Sequence, residues 1–220
     1  MKKLCIFDLD GTLLDTLTTI TYYVNKVFSA HGIEKITNDE CKYFVGSGAE
    51  KLIRRALLSK GITDEDTVMS LLSEYVSDYD KNPLHLTSVF PGIREALCAL
   101  RARGIRLAVL SNKPDSATKS IVASFFPSTF DAVYGQRAGV PMKPDPACAD
   151  GIISDMGVLR SEVAFIGDTE VDTKTGRAAG VGLNIGVLWG FREREELLAG
   201  GADVTVSSAD EIVTEVMALD

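Results

Sequence analysis

An α/β fold, with a doubly wound parallel sheet interrupted near its start by a helical insertion, is the class this sequence predicts, on three observations. Short apolar runs ending in polar residues recur after residue 105, and segments with helical apolar spacing lie between them. Alternation of this kind gives a parallel sheet covered on both faces. One matching run, Leu4-Cys5-Ile6-Phe7, stands alone at the beginning. Between it and the later series, residues 16–85 carry helical periodicity and no convincing strand. At 220 residues the chain is long enough to bury a main core and a smaller second one.

The elements follow in order. Leu4–Phe7 reads as a buried strand, with Gly11 allowing the turn that follows. From Thr16 to about His31, Ile20, Val24, Val27 and Phe28 recur at helical spacing, and Gly32 closes the segment. Asn38 is expected to cap a second helix through Phe44. Ala49–Ser59 forms a third, stopped by Gly61, and Asp64 to about Asp80 a fourth, with Met69, Leu72 and Val76 on one face. Lys81-Asn82-Pro83 breaks that helix, Val89-Phe90-Pro91-Gly92 reads as a connection, and Ile93–Arg103 is a helix ending at Gly104. Strands are then expected at Arg106–Leu110, near Asp131–Tyr134, at Val163–Ile166, Leu183–Leu188 and Asp203–Val206. The expected organisation is an α/β core of residues 1–15 and 86–220 carrying a helical cap at 16–85, with hinges near Asp15-Thr16 and Asn82–Pro91.

Charge narrows the function. Lys and Arg total 23 against 31 Asp and Glu, a formal charge of −8, and so acidic a surface argues against a nucleic-acid or membrane-surface binder. A small anionic partner would have to be drawn by a local cluster of cations such as Lys113 and Lys143. Cys5, Cys41, Cys98 and Cys148 show no C-x-x-C pairing and no histidines at metal spacing, which reads as ordinary reduced thiols. The start, Met-Lys-Lys before a short apolar run, is too brief for a signal peptide, and no segment reaches the length of a membrane span, so the expected setting is the cytoplasm. Oligomeric state is left between monomer and homodimer.

Chemistry concentrates at strand ends. In Phe7-Asp8-Leu9-Asp10-Gly11-Thr12, residues i and i+2 of a strand face one side, so Asp8 and Asp10 project together where the backbone leaves the sheet. Two like charges that close stay ionised together only if a cation or a polarising substrate offsets their repulsion, and Mg2+, a hard ion suited to carboxylate and carbonyl oxygens, fits. An ordinary polar turn is the bland alternative; a calcium loop would need further oxygen ligands where Leu13 and Leu14 stand. The second strand runs into Ser111-Asn112-Lys113, Lys143-Pro144 sits in a proline-stiffened loop, and Val163–Ile166 runs into Gly167-Asp168, with Asp172 four residues on. Ligands of open α/β sheets bind outside the carboxyl ends of the strands, so groups far apart in sequence converge there.

Taken as a set, Asp8-Leu9-Asp10-Gly11-Thr12, Ser111-Asn112-Lys113, Lys143-Pro144 and Gly167-Asp168 with Asp172 resemble the four motifs of the haloacid dehalogenase-like (HAD) hydrolase superfamily, over nearly the whole chain. Val45-Gly46-Ser47-Gly48, Arg54-Arg55-Ala56-Leu57 and Leu188-Trp189-Gly190-Phe191-Arg192 are similar to its phosphoglycolate phosphatase subgroup. The resemblance implies a Rossmann-like core, a specificity-determining cap, and hydrolysis of a small phosphomonoester through an aspartyl-phosphate. Asp8 would be nucleophile and Asp10 acid and base. Mg2+ would be held by Asp8, the Asp10 carbonyl and Asp168, with Asp172 behind them, bonded to a metal-bound water or to Lys143. Ser111, the Asn112 N–H, Lys143, Gly11 and Thr12 would grip the phosphate. Gly46, Ser47 and Gly48 at a helix start would offer N–H groups to substrate, joined by Arg54; adjacent Arg55 points about 100° away on a helix, so at most one of the two faces the site.

The substrate expected on this resemblance is 2-phosphoglycolate, with pyrophosphate, a nucleotide or a sugar phosphate as alternatives and a catalytically silent binding protein as the remaining one. Asp10 sets the chain apart from the dehalogenases of the superfamily, which lack the second aspartate. Ile20 stands where its hexose-phosphate mutases carry a cap histidine. Trp189 and Phe191 read as loop packing, and His31 and His85 as a helix-end and a hinge-region residue.

Overall fold

The computed structural model describes residues 1–218. They divide into two compact units, one of residues 1–15 with 89–218 and one of Thr16–Ser88. Two short strands, β2 (Leu14–Asp15) and β3 (Ser88–Val89), stand where the chain leaves the first unit and returns to it.

The first unit is built on a six-stranded parallel sheet of β1 (Leu4–Phe7), β4 (Arg106–Pro114), β5 (Ala132–Gln136), β6 (Val163–Gly167), β7 (Leu183–Val187) and β8 (Val204–Val206). Their spatial order is β5-β4-β1-β6-β7-β8. The chain builds outward from β1 in one direction and then in the other, so the order reverses between β1 and β6, the crevice where open α/β sheets hold ligands. Register brings the motifs level there: Phe7 pairs with Val109 on one side and Ile166 on the other, so the chain segments that follow all leave the same end of the sheet. Leu4, Ile6, Ala108, Leu110, Val163 and Phe165 line one face against Ala149, Ile152 and Ile153 of α7 (Ala147–Asp155). Near-continuous burial along β1 and β6 is the pattern of strands covered on both faces. The remaining helices of this unit are α5 (Ile93–Ala102), α6 (Asp115–Phe125), α8 (Glu170–Ala179), α9 (Arg194–Gly200) and α10 (Ala209–Met217).

One strand outruns its expected end. β4 continues past Leu110 through Ser111-Asn112-Lys113 to Pro114, with its register against β5 shifting between Leu110 and Pro114. A bulge of this kind re-aims side chains beside functional sites. The polar triplet therefore belongs to the strand itself.

The second unit contains α1 (Leu17–Ala30), α2 (Asn38–Phe44), α3 (Ala49–Ser59) and α4 (Glu65–Lys81). Ile20, Val24, Val27 and Phe28 of α1 are buried, as their spacing requires. Asn38 is the first helical residue of α2; the cap is Thr37, whose hydroxyl accepts from the Glu40 N–H while the Glu40 carboxylate accepts from the Thr37 N–H. That reciprocal pair is a capping box, a Thr-x-x-Glu pattern that outcompetes the asparagine beside it.

The buried face of α4 also differs from the expected one. Val68, Leu71, Tyr75 and Tyr79 are buried, whereas Met69 is 48% exposed. The sequence offers two helical stripes one residue apart, and the aromatic one wins because Tyr79 packs on Tyr23 of α1 (centroids 5.2 Å apart) and on Tyr75 (5.8 Å). Thermal unfolding should then separate two neighbouring truncations. Leu71→Ala is expected to cost about 2–4 kcal/mol, and Met69→Ala no more than about 0.5 kcal/mol; equal losses would contradict this packing.

Candidate active site

The site lies wholly within the first unit, and its centre is a buried pair of opposite charges. Lys143 Nζ donates to Asp8 Oδ1 at 2.8 Å and to Asp172 Oδ1 at 2.6 Å, with the lysine side chain 2% exposed. Asp8 Oδ1 also accepts the Leu9 N–H at 2.7 Å. The loop carrying Lys143, whose bond to Pro144 is cis, is stapled to the end of β4 by Asn112. The Asn112 side chain donates to the Lys143 carbonyl at 3.1 Å and accepts the Lys143 N–H at 2.9 Å. Beside the phosphate contact expected of its backbone N–H, Asn112 thus places the lysine through its amide side chain.

Asp168, fully buried, follows β6 across the crevice. Its Oδ1 accepts from the Thr12 hydroxyl at 2.8 Å and its Oδ2 from the Phe191 N–H at 2.9 Å. The Thr12 hydroxyl is thus directed at Asp168. The Gly11 N–H likewise closes the turn onto the Leu14 carbonyl at 2.8 Å. Gly11 holds φ +83°, and a Cβ there would lie 2.2 Å from Asp168 Oδ2, so both conformation and contact demand glycine. Asp172 Oδ2 takes the Thr169 N–H at 3.0 Å and its hydroxyl at 2.6 Å, which fixes the aspartate at the start of α8.

Among the described residues, Asp8, Asp168 and Asp172 offer carboxylate oxygens within 4.8 Å of one another, all buried. Burial first, then Asp172, pushes Asp8 up to about 7 against the pull of Lys143. Burial, then Asp172 and Asp8, raises Asp168 well above the usual carboxylate range. Burial works against the Lys143 charge, but Asp172 and Asp8 outweigh it and raise that group above its ordinary value. One lysine among three buried carboxylates leaves a negative excess, and this hard-oxygen donor set fits a divalent cation.

Asp10 stands apart from this cluster. Its two carboxylate oxygens receive Lys113 Nζ at 3.1 and 2.9 Å, with side chains 8% exposed for the lysine and 18% for the aspartate. Ser111 is buried beside them, its hydroxyl accepting the Lys113 N–H at 3.2 Å.

The comparisons with known proteins bear on this geometry directly. The family described as haloacid dehalogenase-like hydrolase matches residues 5–184, which include all four motifs. The chain belongs to the haloacid dehalogenase-like hydrolases. It is similar to the phosphoglycolate phosphatase of Cereibacter sphaeroides, 36% identical over 179 residues that cover 80% of this chain and 81% of that one. The phosphoglycolate phosphatase of Nitrosospira multiformis is 30% identical over 209 residues, covering 94% and 92%. A crystal structure from Lactobacillus delbrueckii subsp. bulgaricus, provisionally named a phosphoglycolate phosphatase, superposes with a TM-score of 0.94 at 32% identity over 100% of both chains. The protein is therefore a hydrolase of the phosphoglycolate phosphatase-like subgroup, and its activity class is that of a phosphoric monoester hydrolase.

The residues of the helical insertion expected to contact substrate belong to the second unit. Gly46 and Gly48 have φ +102° and +88°, Gly48 caps α3, and Ser47 is buried between them. Arg54 is engaged within its own unit, donating to Glu50 at 2.8 Å and bidentately to Glu65 at 2.6 Å. Arg55 donates to the Phe44 carbonyl at 3.0 Å.

Sequence reasoning missed two supports of the acidic cluster. The Phe191 N–H holds Asp168, and Trp189 Nε1 donates to the Thr12 carbonyl at 3.1 Å, so the loop read as packing fastens two motif residues. Gly190 between the two aromatics was the available signal, since a Cβ there would lie 2.3 Å from that of Asp168. Gly190→Ala is accordingly expected to raise the divalent-cation concentration giving half-maximal activity by roughly 10- to 100-fold. An unchanged cation requirement in a folded variant would show that the loop does not position Asp168.

Proposed function

We propose that this protein is a Mg2+-dependent phosphatase that hydrolyses 2-phosphoglycolate to glycolate and phosphate through an aspartyl-phosphate. The observation that carries the phosphatase reading is the Asp8–Lys143 pair at 2.8 Å beside buried Asp168 and Asp172. The substrate rests on the names of the relatives at 30–36% identity.

Asp8 attacks phosphorus as a carboxylate while Asp10 gives its proton to the departing alkoxide. Water then attacks the phosphoenzyme, Asp10 takes the proton back, and phosphate leaves with Asp8 restored. Lys143, tied to Asp8 and Asp172, neutralises charge on the non-bridging oxygens as it shifts outward, joined by Ser111. Mg2+ held by Asp8, Asp168 and the carbonyl of Asp10, with Asp172 behind them, would neutralise the charge of nucleophile and phosphate. The helical unit of residues 16–88 would serve as the cap that shields the reaction from bulk water, with Gly46-Ser47-Gly48 and Arg54 facing substrate. No helix among the described residues is long and apolar enough to cross a membrane, and the four cysteines are unpaired. With a metabolite as substrate, these support a cytoplasmic setting, as monomer or homodimer.

The test is phosphate release, with and without Mg2+, from phosphoglycolate, ethyl phosphate, pyrophosphate, a nucleoside monophosphate and a hexose phosphate. Phosphoglycolate should lead the panel in kcat/KM by about tenfold or more. A higher kcat/KM on any other member would move the substrate assignment, and no Mg2+-dependent release at all would leave a binding protein.

A further inference from the structure

Lys113 is the cation of this site that the phosphatase mechanism leaves without a task. Its ammonium lies 2.9 and 3.1 Å from the two oxygens of Asp10, in a side chain 8% exposed. The backbone on which it rides is fixed: the Lys113 N–H donates to Ser111 Oγ at 3.2 Å, and the Lys113 carbonyl accepts from the Thr118 hydroxyl at 3.2 Å. A Cβ at Gly135 of β5 would lie 2.7 Å from that carbonyl, so the neighbouring strand packs closely against the same backbone. A long side chain is held here with little freedom to wander.

From this placement we infer that Lys113 determines specificity by receiving the carboxylate of a substrate whose phosphoester oxygen and carboxylate share one carbon. The inference rests on the proposed phosphoglycolate phosphatase reading and on Asp10 as the acid. An acid that protonates the leaving oxygen sits about 3 Å from it. In a phosphorylated 2-hydroxy acid, the carboxylate oxygens lie about as far again from that same ester oxygen. A cation in contact with Asp10 can then reach the substrate carboxylate when both lie on the same side of the ester oxygen, whereas a carboxylate one carbon further out is displaced by more than an ångström. The ammonium carries three donors on a rotating head, so it bridges two carboxylates where a guanidinium fork would favour one. Lys113 belongs to the unit that carries the reacting groups, whereas Arg54 and Arg55 bond within the helical unit, to Glu50 and Glu65 and to the Phe44 carbonyl.

The experiment compares kcat/KM for phosphoglycolate, ethyl phosphate and the one-carbon-longer 3-phosphonooxypropionate in the Mg2+-loaded wild type and in Lys113→Met. Ethyl phosphate needs the acid equally but has no carboxylate, so the ratio of the two isolates the carboxylate contact from any support of Asp10. The wild type should favour phosphoglycolate over both others. Lys113→Met should cut that preference by roughly 10- to 100-fold, the value of a hydrogen bond to a charged group, chiefly through KM. Lys113→Arg should restore part of it. Equal losses on phosphoglycolate and ethyl phosphate would overturn the inference, reducing Lys113 to a support for Asp10. Absence of any wild-type preference would overturn the substrate reading instead, so the two failures are distinguishable. Should Lys113→Met not fold by circular dichroism, Lys113→Gln, which keeps length and polarity, reads the same ratio.

Discussion

Asp8→Asn is expected to abolish turnover and, in the metal-free protein, to raise thermal stability at neutral and alkaline pH. The amide neither attacks phosphorus nor contributes a negative charge to a cation site, and loss of a nucleophile should cost roughly 10⁴-fold or more. The gain in stability follows from burial. Asp8 is pushed up to about 7, while an unfolded aspartate titrates near 3.8. Between those values the folded state keeps a proton that the unfolded chain has released, so stability falls as pH rises through the window. Ionising Asp8 in the fold therefore costs about 2–4 kcal/mol at pH 8. Asparagine removes that cost while Lys143 keeps Asp172 at 2.6 Å. Metal-free Asp8→Asn should melt about 5 °C or more above the wild type at pH 8, and the gap should close toward pH 4. Divalent cation should raise the wild type more than the variant. Turnover above about a hundredth of wild type, or a variant less stable than wild type at pH 8, would contradict these roles for Asp8.

Lys143→Met should lose activity as well but move stability the other way. Its side chain is 2% exposed and is the ammonium shared by Asp8 and Asp172. Removing one partner of a buried ionic cluster leaves uncompensated charge, at a cost of about 3–5 kcal/mol. Methionine fills much of the volume, so the loss is electrostatic and should shrink in acid, where Asp8, pushed up to about 7, takes up its proton. Calorimetric melting at pH 5 and pH 8, alongside steady-state rates, checks this. A variant equally stable at both values, or as stable as wild type at pH 8, would show that Lys143 does not balance the carboxylates.

The opposite signs of these two effects are invisible in the linear sequence. Asp8 and Asp168 could be nominated from strand-end positions, Lys143 from its proline-flanked loop and Asp172 from the motif it completes, because a strand's period of two and an apolar run's length are local properties. So were the alternation that makes the sheet parallel, the helical spacing of Ile20, Val24, Val27 and Phe28, and the glycine that turns the chain after Asp10. The capping box at Thr37 and Glu40 was legible too, three residues apart, though Asn38 drew attention away from it.

What only the tertiary structure decided is which long side chain meets which partner. Lys113 lies on Asp10, 103 residues away in sequence, because β4 runs beside β1 and a bulge re-aims its end. Asn112 staples the Lys143 loop, and the Phe191 N–H reaches Asp168, through pairings 31 and 23 residues apart. Between the two apolar stripes of α4, a tyrosine on another helix made the choice. Periodicity specifies the face an element buries to within a residue or so, since it is summed over one segment. The partner of a polar group depends on register and twist between segments, which the sequence of neither segment contains.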